Sequence, residues 1–212
     1  SQNTIHILWH QSLHQTLNYL AHIFLSGDNS KLQLGNFMGD FVKGRQHEEY
    51  PHIIQAGILL HREIDSFTDN HPIFSEATEL LRPTFARYSA IMVDMYFDYC
   101  LASDFERYSV NKSLDSFSRS FNCTCIINYK LLPENIKSFI FHFISTNRLA
   151  KYASMQGLED SLRIMSVKKS SAIQPELSIE FLKNNETQIR ALFNDFMPQV
   201  IKFSDEYIEQ IL

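Results

Sequence analysis

Glycine and proline are scarce in this chain, six of each among 212 residues, and so few turn formers over that length favour helices. Cysteine is scarcer still. Cys100, Cys123 and Cys125 make no pair of C-x-x-C motifs, which excludes the common zinc frameworks, and an odd number of thiols fits a reduced cytosolic compartment better than a disulfide scaffold. All three read as small buried hydrophobes. No apolar run approaches the ~18–20 residues of a membrane span, and the first residues are polar and His-rich without a positively charged start. A soluble, cytoplasmic protein with no membrane partner is therefore expected. Nor is positive charge in excess: a net charge of −5 and a pI near 6.0 argue against non-specific nucleic-acid binding. No repeat, low-complexity stretch or linker divides the chain.

What is plentiful is aromatic and apolar: 17 Phe, 9 Tyr and 44% hydrophobic residues against 20% charged. That is enough to bury a sizeable core in one all-α domain, a single helical bundle. Apolar patterning begins at Leu17 with a short helix through Leu25, and Ser26-Gly-Asp-Asn-Ser reads as a turn. Residues 1–16 are unlike the rest and read as an N-terminal extension to a domain spanning 17–212. His6, His10 and His14 recur there at helical spacing without a carboxylate beside them, which makes a metal site conceivable and an extension outside the catalytic unit the simpler reading.

Further on, a helix is expected just after Tyr50-Pro51, ending near Asn70 ahead of His71-Pro72. The next covers 74–82 and is interrupted at Arg82-Pro83, and another runs over roughly 84–103. The β-branched content of Cys123-Thr-Cys-Ile-Ile makes helix over 112–130 less clear-cut, whereas 134–153 reads as one long helix. A helix starts at Gly157, Pro175 opens the next, and the aromatic terminal helix should kink or break at Pro198. That helix would cover either the protein's own core or a partner's, so the sequence sets no oligomeric state.

Within this frame, His61, Asp65 and Asp69 fall at i, i+4 and i+8, within roughly 80° of one another on one helix face at ~100° per residue. Imidazole and carboxylate so placed can share a divalent cation such as Mn²⁺, Fe²⁺ or Zn²⁺, or can form an ordinary solvated face. Asp94 and Asp98, also at i, i+4, lie in an apolar and aromatic run, where carboxylates are costly unless paired or bound to a cation. A salt bridge to Arg62, Arg82 or Arg87 is the alternative. The clustered Gly35, Gly39 and Gly44 around Asn36 and Asp40 suggest tight backbone approach near a carboxylate, with Asp40 either a ligand or a helix cap. On its own, His22 reads as a hydrogen-bonded core residue.

Four stretches, Asn18-Tyr-Leu-Ala-His22, Gly35-Asn-Phe-Met-Gly-Asp-Phe-Val-Lys-Gly44, His61-Arg-Glu-Ile-Asp-Ser-Phe-Thr-Asp-Asn-His-Pro72 and Asp94-Met-Tyr-Phe-Asp-Tyr-Cys-Leu-Ala102, resemble in order and spacing the acyl carrier protein phosphodiesterase family, a divergent branch of the HD-type metal-dependent phosphohydrolases. The resemblance is strongest over 17–104. It implies an all-helical HD-domain-like fold, a divalent ion with Mn²⁺ favoured over Fe²⁺, Mg²⁺ or Zn²⁺, and hydrolysis of the phosphodiester that links 4′-phosphopantetheine to a serine of holo-acyl carrier protein. It also implies a metal set of His22, Asp40, His61, Asp65 and Asp98, with Asp69 and Asp94 close by.

Tyr99 departs from the family's frequent Asp-His pattern at this point. Asp69 is expected to accept a proton from water, and Arg62 either clamps the phosphate or pairs with Glu63 or Glu49. Lys43, Arg45, Arg82 and Arg87, together with Arg62, would supply the local positive charge that an acidic carrier needs. Competing readings are an HD-type phosphohydrolase of a nucleotide or other small phosphodiester, and a non-catalytic helical module that binds the carrier.

Overall fold

The computed structural model describes residues 19–168 and 173–212, and the described residues form helices joined by short turns, with no strand among them. Helix α1 (Tyr19–Phe24) buries Leu20, His22 and Ile23. After the expected turn, α2 (Ser30–Met38) starts at Asn29, whose side-chain oxygen accepts from the amides of Lys31 and Leu32, both at 3.1 Å. The glycine-rich stretch is thus largely helix, and the tight approach is helix against helix. A methyl group on Gly35 would sit 2.2 Å from the Ile54 carbonyl oxygen, so only glycine lets α2 lie against α3 (His52–Asp69) at backbone contact. The 3₁₀ turns Gly39–Phe41 and Gly44–Glu49 connect the two.

Helix α4 (Pro72–Phe85) opens with proline at its first position and continues through Pro83, where a break was expected. Pro83 is exposed, so solvent can satisfy the carbonyl whose amide partner it removes, and the helix stops only at Ala86, at φ 47°. Helix α5 (Ser89–Ser103) is buried nearly all round, and α6 (Phe105–Tyr108) follows it. The doubtful stretch forms α7 (Leu114–Ile127): Ser113 caps it, and Phe117, Phe121 and Cys125, one turn apart, are buried. Packing overrides the β-branched propensity there. Cys100 is buried as well, but Cys123 is exposed, contrary to its expected burial, because it points off the packed face of α7.

The single helix expected over 134–153 is instead three short ones, α8 (Glu134–Lys137), α9 (Ile140–Ser145) and α10 (Arg148–Lys151). The second break falls at Asn147, which adopts φ 46° and is held by α7: it accepts from Ser118 at 2.6 Å and donates to Asp115 at 3.2 Å. Asparagine tolerates the left-handed region, and these tertiary bonds select it. Helix α11 (Met155–Lys168) precedes α12 (Pro175–Ile211), a helix of 37 residues that passes unbroken through exposed Pro198. Its buried Phe193, Phe196, Met197 and Val200 cover this chain's own core. Among the described residues no helix is long and apolar enough to cross a membrane.

Candidate metal centre

Two histidines on different helices meet at one asparagine. The Nδ1 atoms of His22 (α1) and His61 (α3) lie 3.0 and 3.1 Å from the same Oδ1 of Asn36 (α2), which is fully buried. Asn36 is oriented in turn by donating to the Ser26 hydroxyl at 2.9 Å. An amide oxygen only accepts, so both rings carry hydrogen on Nδ1 and present Nε2 on the far side. There Asp65, one turn beyond His61, reaches both: its two carboxylate oxygens lie 3.2 Å from His22 Nε2 and 3.3 Å from His61 Nε2. The imidazoles stack at 4.1 Å between centroids. Gly39 makes room for the second ring, since a Cβ there would fall 2.2 Å from His61 Cγ.

Donor atoms of His22, His61 and Asp65 all lie within 4.8 Å of one another, which suits a single divalent ion. Asp40 adds a carboxylate 3.5 Å from His61 Nε2. Without an ion the carboxylates dominate the electrostatics. Burial disfavours a charged His61, but Asp65 and Asp40 outweigh it and push the imidazole up to about 10. Burial likewise opposes the Asp65 anion, yet His61 and His22 hold its carboxyl well below the usual range. Two imidazoles with fixed tautomers beside carboxylates form a mixed N/O donor set suited to borderline divalent ions.

The other expected residues divide. Asp98 is fully buried, and its two oxygens accept from the amides of Leu20 at 3.0 Å and Ala21 at 2.8 Å. It therefore anchors the first turn of the helix carrying His22, and it stands outside the close three-residue cluster. Burial pushes its carboxyl up to about 7 against the pull of those amides. Asp94 and Asp69 line the same cavity of about 60 Å³ as His22 and Asp65. Burial first, then Asp65, Asp98, Asp69 and Asp40, raise the Asp94 carboxyl well above its ordinary value.

Arg62 faces away from the cluster: its guanidinium donates to the carbonyls of Val42 (3.0 Å) and Gly44 (2.9 Å), bracing the turn after Asp40. Tyr99 also points elsewhere, donating to Glu186 at 3.1 Å and accepting from Arg190 at 3.3 Å, both on α12. Lys43 and Arg45 flank Gly44 in the turns that follow Asp40, and Arg45 is paired with Glu48. Arg82 pairs with Glu79 and Arg87 bonds the Tyr88 hydroxyl. Eight residues separate Arg82 from the cavity-lining Phe74 on α4, about 12 Å of rise. The ladder of His6, His10 and His14, like the 1–16 extension, lies outside the described residues.

Sequence reasoning passed over Asn36 as a site residue. The one signal was its place between two close-approach glycines, one turn before Asp40.

The family model described as acyl carrier protein phosphodiesterase matches residues 17–200. Proteins named acyl carrier protein phosphodiesterase are similar along nearly their whole length. That of Pectobacterium atrosepticum is 28% identical over 188 residues, 89% of this chain and 97% of the relative. That of Yersinia pestis is 27% identical over 186 residues, 88% and 96%. That of Klebsiella pneumoniae is 29% identical over 192 residues, 89% and 98%. No solved structure matches the chain.

Proposed function

Since this chain belongs to the acyl carrier protein phosphodiesterase family, we propose that it hydrolyses the phosphodiester joining 4′-phosphopantetheine to a carrier-protein serine, releasing apo-acyl carrier protein. The observation that carries this reading is the convergence of His22, His61 and Asp65 on one point, with both imidazoles fixed by Asn36. These three residues would hold the divalent ion, with Asp40 beside them. Manganese suits the mixed imidazole and carboxylate set, as do Fe²⁺ and Zn²⁺, and Mg²⁺ suits it less. When bound, such an ion supplies Lewis-acid charge to the phosphate and lowers the pKa of water.

The chain's own carboxylates would manage the protons. Asp69, on the exposed side of the cavity, takes the proton from attacking water as its oxygen bonds to phosphorus. The phosphorus–oxygen bond to the carrier serine breaks, and that oxygen takes a proton from Asp94, whose carboxyl is raised above its ordinary value in the metal-free protein. Asp98 positions His22 by holding the first amides of α1. Lys43 and Arg45, next to Asp40, are the better placed of the cationic residues to receive an acidic carrier; Arg62 shapes their turn. Such a carrier substrate fits a cytoplasmic, HD-like enzyme.

Mass spectrometry of holo-acyl carrier protein after incubation with the Mn²⁺-loaded protein tests the proposal. The carrier should lose the whole phosphopantetheine mass, and His61→Ala and Asp65→Ala should abolish that loss. An unchanged carrier mass would sink the reading and favour a small phosphodiester as substrate.

A further inference from the structure

The cavity at the metal cluster has a volume of about 60 Å³, well below the roughly 300 Å³ at which small-ligand pockets begin. A second, larger cleft of about 300 Å³ has one lining residue in common with it. Leu25, three residues beyond His22 and just past the end of α1, lines both. So does α12, which contributes Val200 to the inner cavity and the next residue, Ile201, to the outer cleft. The wall of the outer cleft is two-natured. Phe24, Leu25, Phe117 and Ile201 give it an apolar side, while Asn111 and the Lys112–Asp28 ion pair, at 2.6 Å, give it a polar one.

A phosphodiester carries two substituents, and in the reading above one of them is a folded protein too large for any cleft. The other is a narrow chain that alternates alkyl segments with two amides and a hydroxyl. Building on that reading, we infer that the outer cleft binds the pantetheine arm: its alkyl segments lie on Phe24, Phe117 and Ile201, and its amides meet Asn111 and the polar rim. The volume matches the lower end of small-ligand pockets, roughly 300–1,000 Å³, which are mostly apolar with a few placed polar groups. The carrier body then stays outside, on the side of the metal cluster away from the cleft.

Filling the cleft tests this without touching the cluster. Ile201→Trp and Val110→Trp both add bulk to its lining, and Val110 is 93% exposed, so the second variant can fold even if the first does not. Each should lower kcat/KM for holo-carrier by about tenfold or more, chiefly through KM, while hydrolysis of bis(4-nitrophenyl) phosphate stays at the wild-type rate. Calorimetric titration of the wild type with free pantetheine should show saturable binding that both variants lose. If the wild type does not turn over holo-carrier but still binds pantetheine in a variant-sensitive way, the proposed reaction fails and the cleft assignment survives. Wild-type turnover with unaltered kcat/KM in a folded variant, or no saturable pantetheine binding by the wild type, would overturn the assignment.

Discussion

His22 and His61, 39 residues apart in sequence, stack with their ring centroids 4.1 Å apart and share one hydrogen-bond acceptor, the Asn36 side-chain oxygen. Neither ring can rotate without abandoning that bond. Their two Nε2 atoms therefore face the same carboxylate, Asp65, from adjoining positions.

Replacing Asn36 should uncouple the pair. Asn36→Ala leaves two ring N–H groups without their acceptor, while the Ser26 hydroxyl keeps its bond to the His22 carbonyl, and metal affinity should fall about 10–100-fold, as for other groups that orient metal-bound histidines. Calorimetric titration with Mn²⁺ measures it. Affinity within threefold of wild type would show that Asn36 does not orient the ligands.

The pH dependence of the metal-free protein follows from His61 and Asp65. The folded state raises His61 from 6.5 to about 10, so the stability this adds is full below pH 6.5 and is lost as pH rises toward 10. Asp65 is lowered from 3.8, and its contribution is present above that value and lost as pH falls below it. Thermal unfolding without metal should therefore show a declining alkaline arm that His61→Gln flattens. With metal the direction reverses: an ion must displace the His61 proton, so affinity should climb as pH rises toward 10. Proton uptake on binding would contradict this account.

Asp98 should behave as an anchor. Asp98→Ala strands the Leu20 and Ala21 amides and should cost about 2–5 kcal/mol in urea unfolding, from one buried and one partly buried donor left unsatisfied. Asp98→Asn keeps one oxygen for those amides. If Asp98 serves the metal only through the placement of His22, Asn will retain most Mn²⁺ affinity. Complete loss of binding in a folded Asp98→Asn would make it a direct ligand.

Asp94 should appear on the alkaline side of the rate profile. As the proposed donor to the leaving serine oxygen it must be protonated, so kcat should fall once pH rises far enough to ionise it. Asp94→Asn should lower kcat about 10²–10⁴-fold and remove that limb. A variant that retains both rate and limb would exclude Asp94 as the acid.

Charge reversal separates carrier docking from chemistry. Lys43→Glu with Arg45→Glu should weaken turnover of holo-carrier at low salt far more than turnover of a small phosphodiester, because exposed cations act mainly on encounter. Arg82→Glu, about 12 Å along α4 from the cavity, should change neither. Equal losses with both substrates in the Lys43/Arg45 variant would rule out docking at that turn.

Much of this protein is legible in its sequence. The scarcity of glycine and proline and the apolar periodicity specify helices, and a helix fixes which residues share a face, so His61 and Asp65 were bound to lie together. The glycines at 35 and 39 announced close approach because no other residue allows it. What periodicity cannot convey is which faces meet. Only the tertiary structure joined His22 to His61 through Asn36, turned Asp98 toward the amides of α1, and aimed Arg62 at the carbonyls of Val42 and Gly44. The same holds for chain breaks, since Asn147 leaves the helix to meet Ser118 and Asp115, whereas exposed Pro83 and Pro198 leave theirs intact. Local sequence sets what each helix can present; long-range hydrogen bonds between buried polar groups, costly to leave unmade, decide which of those presentations become one site.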